Sequence, residues 1–172
     1  MMTPRVLVAY ATRHGSTGEI AQAIGTVLRD DGLAVDVRPA GEVGDLGPYP
    51  AVIVGSAVYL LRWHLDAVEF LHAHERALSG RDVWLFDSGP LDDSASTRPP
   101  VLPGPVQALA DRIGIRGHVT FGGKFDPATA GVVEHLITLS GAAGDFRDPE
   151  RIRAWARDVA TRIAIARLQP VG

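Results

Sequence analysis

Five short runs of this chain, at residues 6–10, 34–37, 51–55, 83–87 and 118–122, are largely apolar where a strand with one wet face would alternate. Between them lie segments of helical period. Ile20, Ile24, Val27 and Leu28 share one face, as do Val68, Leu71 and Leu78, and then Ile152, Trp155, Val159 and Ile163 near the end. Strands buried on both faces that alternate with helices imply a parallel sheet, right-handed crossovers and a helical layer on each side. The expected fold is therefore doubly wound α/β, and 172 residues suit a single domain over 1–172.

Composition removes several function classes. The chain is 46% apolar and 22% charged, the profile of a globular protein. No apolar run is long enough to cross a bilayer and no separable leader opens the sequence, so a cytoplasmic location is expected. Cysteine is absent, which excludes disulfides, thiolate nucleophiles, iron–sulfur clusters and thiolate zinc sites. The net charge is −3, and the basic residues, all arginine except Lys124, are scattered, so nucleic acid is not an expected partner. His72 and His74 would sit about 200° apart on a helix, and Glu134 and His135 diverge similarly; no metal site is expected.

Two stretches interrupt the alternation. Residues 88–104 are rich in Ser, Pro and Asp and form a candidate functional loop; residues 124–146 carry a short expected helix around 132–139 between Gly-rich segments. Asp148, Pro149 and Glu150 then supply a cap, a proline for the first turn and an acid at the start of the last helix.

The chemistry concentrates after the first strand, where residues 12–17 read T-R-H-G-S-T. In an open parallel sheet ligands bind beyond the carboxyl ends of the strands. The helix that follows points unpaired N–H groups and its positive dipole end into the turn. Thr12, Ser16 and Thr17 add hydroxyls and Gly15 lets the backbone curl, an arrangement suited to a phosphate monoester. The Walker pattern lacks its lysine, the dinucleotide pattern lacks its first glycine, and His14 stands where a nucleophile elbow needs glycine. Threonines that merely cap the helix are the alternative. Arg13 and His14 can lie over the phosphate or face solvent.

Tyr10, Thr12, Gly15, Thr17, Ala21 and Ile24 match in register the phosphate loop of the flavodoxins, which this chain resembles; Ala9 departs mildly, where a bulkier aliphatic is usual. The resemblance implies a five-stranded sheet in the order 2-1-3-4-5 and FMN as cofactor. It places the flavin ring against the loops leaving the third and fourth strands, Ser56, Ala57, Val58 and Tyr59 on one side and Ser88, Gly89, Pro90 and Leu91 on the other. Tyr59 is then the first stacking candidate and Trp63 the second, with packing over the next helix as the alternative for each. In the family, a glycine in the first of these loops lets a peptide rotate beside the one-electron-reduced flavin. Residues 56–59 contain none, and β-branched Val58 suits positive φ poorly, so two-electron chemistry with a small molecule is expected. His64 is a candidate proton donor, or a solvent-facing histidine at a helix start.

Further stretches, G-S-A-V-Y, L-D-A-V-E-F-L, V-W-L-F-D-S, H-L-I-T-L-S-G and D-P-E-R-I-R-A-W-A-R-D-V-A, resemble the quinone-dependent protoporphyrinogen oxidase branch of flavodoxin-like proteins. That likeness implies an oxidoreductase acting on a porphyrinogen with a quinone acceptor, and at most peripheral membrane contact. Where that branch carries a basic, aromatic-rich insertion this chain reads K-F-D-P-A-T-A-G, keeping only Lys124 and Phe125 of that character. A flavodoxin-like domain that has lost FMN and serves as a binding module is the rival class. A phospho-receiver lacks its acidic cluster here.

Overall fold

The computed structural model describes residues 5–13, 15–89, 97–125, 144–145 and 147–169. In chain order the elements are β1 (Arg5–Ala11), α1 (Ser16–Asp30), β2 (Ala34–Pro39), a 3-10 turn (Ala40–Glu42), β3 (Ala51–Tyr59), β4 (Arg62–Trp63) and α2 (Leu65–Leu78). There follow β5 (Asp82–Ser88), α3 (Gly104–Ile113), β6 (Gly117–Phe121), the short pair β7 (Lys124–Phe125) and β8 (Gly144–Asp145), and α4 (Pro149–Leu168). The main sheet runs β2-β1-β3-β5-β6, parallel throughout, with β4 paired antiparallel to β3. This is the expected flavodoxin-like order, the later strands renumbered by β4.

Alternate residues of the central strands feed two separate cores. Leu7, Val52, Val54 and Leu85 meet α2 and α3, whose buried residues include Leu71, Leu78, Leu109 and Ile113. Val6, Val8, Ile53 and Phe86 meet α1 and α4, where Ile20, Ile24, Leu28, Ile152, Val159 and Ile163 are buried. The helical faces read from the sequence are therefore the packed faces, with Val68 and Trp155 partly buried at their edges. Phe86, Phe121 and Trp155 stack tilted or edge-on at 5.9–6.3 Å. Gly55 makes room for this cluster, since a Cβ there would stand 2.0 Å from the Phe86 ring.

Three expectations need correction. Residues 34–37 and 118–122 were expected to be buried on both faces, but β2 and β6 are the edge strands of the sheet; β2 is half-buried or exposed, and in β6 only Val119 and Phe121 are buried. β3 does not end at Gly55; it continues to Tyr59 and turns back through Leu60 and Leu61 into β4. The helix α3 is not among those the periodicity predicts. The expected helix around 132–139 lies outside the described residues, as do residues 90–96 of the 88–104 loop.

Asp148 caps α4, accepting the Glu150 and Arg151 amides at 3.1 and 3.2 Å, with Pro149 in the first turn, as the sequence indicates. Among the described residues no helix is long and apolar enough to cross a membrane.

Candidate functional site

The site forms where β1 hands over to α1. Gly15 adopts φ +89°, a left-handed conformation that costs a glycine little, and nothing stands within 4 Å of where its Cβ would be. Its amide donates to Thr12 Oγ1 at 2.9 Å, and its carbonyl accepts the first helical bond from the Glu19 amide at 3.0 Å. No side chain caps the helix among the described residues. The threonines therefore do not spend themselves as caps, and the first-turn amides keep their donors for another acceptor.

The two hydroxyls that follow are placed differently. Thr17 is buried and its Oγ1 lies 2.8 Å from Ser88 Oγ, tying the first turn to the end of β5. Ser16 Oγ is also buried but has no hydrogen-bond partner among the described residues. A buried hydroxyl without a partner costs free energy, so this atom is the clearest trace of a missing acceptor at the helix tip. Thr12 is half-buried. His14, Pro90 and Leu91 lie outside the described residues.

Across the cleft, the hairpin organises the second wall. Ser56 Oγ donates to the Ala57 carbonyl and accepts the His64 amide, both at 2.9 Å, so this hydroxyl is committed within the hairpin. Ala57, Val58 and Tyr59 are half-buried. Tyr59 Oη is buried and unpaired, and the Arg13 guanidinium lies over the Tyr59 ring at 4.1 Å from its centroid. Gly89 presses its backbone on Val58: a Cβ there would stand 2.8 Å from Val58 Cβ and 2.9 Å from its carbonyl oxygen. A cavity of about 540 Å³ opens here, lined by Arg13, Ala57, Tyr59, Arg62, Trp63 and His64 together with Leu60 and Leu65. That size suits one small ligand.

Two sequence candidates have structural positions. Trp63 is only 6% exposed and packs in the α2–α3 core while reaching the cavity lining, and Tyr59 is the more accessible of the two aromatics there. His64 caps α2, its Nδ1 accepting the Asp66 amide at 3.2 Å, while its ring faces the cavity wall.

A buried carboxylate escaped the sequence reading. Asp87, 2% exposed at the end of β5, accepts Trp63 Nε1–H at 3.0 Å and Thr120 Oγ1–H at 2.6 Å, and His118 Nε2 stands 3.2 Å from its Oδ2. It pins the hairpin to the sheet through Trp63. An aspartate closing an apolar strand was the available signal, but its partners lie some thirty residues away.

Fold and site together define a doubly wound α/β domain with an α1 N-terminus free of a side-chain cap among the described residues and a cavity between the β1–α1 turn and the β3–β4 hairpin. The flavodoxin domain profile matches residues 7–126, and the chain belongs to that family. The fold is similar to that of an archaeal flavodoxin at TM-score 0.62 and 15% identity, covering 93% of this chain and 99% of that one. It is likewise similar to a flavodoxin variant from Pseudomonas aeruginosa at TM-score 0.58 and 15% identity, covering 91% and 97%. Rubredoxin oxygen:oxidoreductase from Desulfovibrio gigas is similar at TM-score 0.65 and 15% identity, over 98% of this chain but 38% of that one. No curated protein matches the sequence.

Proposed function

We propose that this chain binds FMN and works as a flavin-dependent oxidoreductase. The observation that carries the reading is Ser16 Oγ, buried and unpaired at the mouth of an uncapped helix behind a left-handed glycine. A phosphate monoester would accept from Ser16 Oγ and from the first-turn amides, with Thr12 holding the turn in shape through Gly15. Thr17 and Ser88 act together, since their mutual bond fixes the distance between phosphate turn and ring loop. Tyr59 supplies the flat wall; Ala57, Val58 and Gly89 supply backbone edges for the polar side of the ring.

FMN, when bound, supplies the redox chemistry; the protein orients it and limits access. The Arg13 guanidinium must leave the face of Tyr59 for a ring to stack there. His64 caps α2 through Nδ1 as acceptor, which leaves the proton of the neutral ring on Nε2.

For the reaction, the motif resemblance favours protoporphyrinogen as substrate and a quinone as acceptor. Arg62 at the cavity provides a cation for a carboxylate-bearing substrate. The test is anaerobic: the FMN-loaded chain should oxidise protoporphyrinogen faster than free FMN does and pass the electrons to a soluble quinone. No acceleration over free FMN would remove the porphyrinogen reading while leaving flavin binding intact. The second reading, a domain that has lost flavin, draws on the same Arg13–Tyr59 stack, which already covers the wall. Absence of FMN uptake by the purified chain would establish it.

A further inference from the structure

The wall that carries Tyr59 stands beyond the sheet that supports it. β3 is paired with β1 as far as Ser56 and with β5 as far as Ala57, so Val58, Tyr59 and the whole of β4 project past the last rung of either ladder. The hairpin they form has two rungs, Val58 opposite Trp63 and Tyr59 opposite Arg62, and both residues of its turn, Leu60 and Leu61, have positive φ. A two-stranded hairpin this short does not hold its place by its own pairing. The His64 amide bonds to Ser56 Oγ and to the Ala57 carbonyl, within the hairpin. Among the described residues, the side-chain hydrogen bond that leaves it for another strand is that of Trp63 Nε1–H to Asp87 Oδ2.

Asp87 is placed to hold that bond. It is the penultimate residue of β5 and 2% exposed. Oδ1 accepts from Thr120 Oγ1 on β6 at 2.6 Å, and Oδ2 accepts from Trp63 at 3.0 Å. His118 Nε2 stands 3.2 Å from Oδ2 but is not aligned on it as a hydrogen bond. The carboxylate therefore has one directed bond toward the sheet edge and one toward the hairpin, and burial keeps water from replacing either. Two residues further on, the Gly89 backbone packs on Val58, the residue paired with Trp63. The end of β5 thus grips both strands of the hairpin, Val58 through Gly89 and Trp63 through Asp87. Gripped on both strands, the hairpin cannot roll, and the face that Tyr59 turns to the cavity is set.

We propose that Asp87 is the positioning residue of the flavin wall: through Trp63 it fixes where Tyr59 stands, and so governs how firmly the isoalloxazine ring is held, independently of the phosphate turn. The proposal rests on the FMN reading and assigns to a buried carboxylate outside the cavity lining a role in ring affinity.

Fluorescence titrations of the purified full chain with FMN and with riboflavin test it, alongside thermal melts. Thr120→Val frees Asp87 Oδ1 without touching the hairpin or the cavity lining, and should weaken both flavins by about threefold. Trp63→Phe keeps an aromatic in the core and removes the donor, and should weaken both by about tenfold. In each variant the ratio of FMN to riboflavin affinity should stay at its wild-type value. Asp87→Asn keeps an acceptor for Trp63, and the Thr120 hydroxyl can turn to accept from the amide, so both flavins should bind within about twofold of wild type. Lower melting temperatures with unchanged flavin affinity in Thr120→Val and Trp63→Phe would make the bond merely structural and overturn the proposal. So would a loss confined to FMN, or a loss in Asp87→Asn as large as in Trp63→Phe. A wild-type chain that binds neither flavin would instead remove the FMN reading, and this proposal with it.

Discussion

Ser16 and Thr17 are adjacent hydroxyls with opposite situations, and substitution separates them. Thr17 is paired with Ser88 inside the protein, so Thr17→Val strands a buried serine hydroxyl; a loss of about 1–3 kcal/mol is expected, read as a lowered midpoint in denaturant. Ser16 has no partner, so Ser16→Ala removes an unsatisfied group and should leave stability unchanged or slightly raised. Its effect belongs to the ligand: FMN affinity should fall about tenfold, the loss of one hydrogen bond to a charged acceptor. A stability loss in Ser16→Ala equal to that in Thr17→Val would show that both hydroxyls are structural. Gly89 has its own constraint. A Cβ there meets the Val58 backbone, which has no flexible end to give way, so Gly89→Ala should part the two cofactor loops and weaken FMN binding along with stability.

Among elements, the β3–β4 hairpin and the β1–β2 edge make separate tests. Leu61→Gly relieves a left-handed leucine, worth about 1 kcal/mol, and should raise the melting temperature by about 2–4 °C. At the sheet edge Asp36 accepts from Tyr49 Oη at 2.6 Å and from Arg5 Nε at 2.9 Å, which holds its carboxyl below the ordinary 3.8. Such a group stabilises the fold above its unfolded value and loses that contribution as pH falls through the lower folded value. Asp36→Asn should therefore be less stable than wild type at neutral pH by about 1 kcal/mol, Arg5 being over half exposed and screened. The gap should close as the pH drops below the ordinary aspartate range in a series of denaturant melts. A gap independent of pH would contradict the linkage. These elements also mark how far the sequence could be read. The α1 face was legible because Ile20, Ile24 and Leu28 repeat at helical spacing and the packing honours it. The hairpin was not, because Leu60 and Leu61 carry none of the Gly, Asn or Asp chemistry that announces a two-residue turn. For α3, Val106, Leu109, Ala110 and Ile113 do have helical spacing, and Gly114 ends it at φ +76°, but the Pro-rich approach obscured its start. The role of Asp87 lay beyond local reading, since Trp63, His118 and Thr120 reach it only across the folded sheet.

On the scale of the whole molecule, two cores clamp a parallel sheet whose carboxyl edge gathers the first turn, the hairpin and Gly89 on one side of the protein. The sequence reading named segments 12–17, 56–59 and 88–91, whose described residues lie at this edge; it did not show that Ser56 is committed to the hairpin or that Arg13 covers Tyr59, because each depends on side-chain placement across strands. A ligand bound there and not to the unfolded chain stabilises the whole domain by linkage, about 2.7 kcal/mol at a hundredfold excess over its dissociation constant. FMN should accordingly raise the melting temperature by about 5–10 °C under that condition. The central claim is that the tip of α1 holds the phosphate of a flavin, and the most direct measurement compares FMN with riboflavin, the same ring without the phosphate, by fluorescence titration of the purified chain. The expected result is tight FMN binding, riboflavin weaker by about a hundredfold, and a smaller difference between the two in Ser16→Ala. Equal affinities for FMN and riboflavin, or no binding of either, would contradict it.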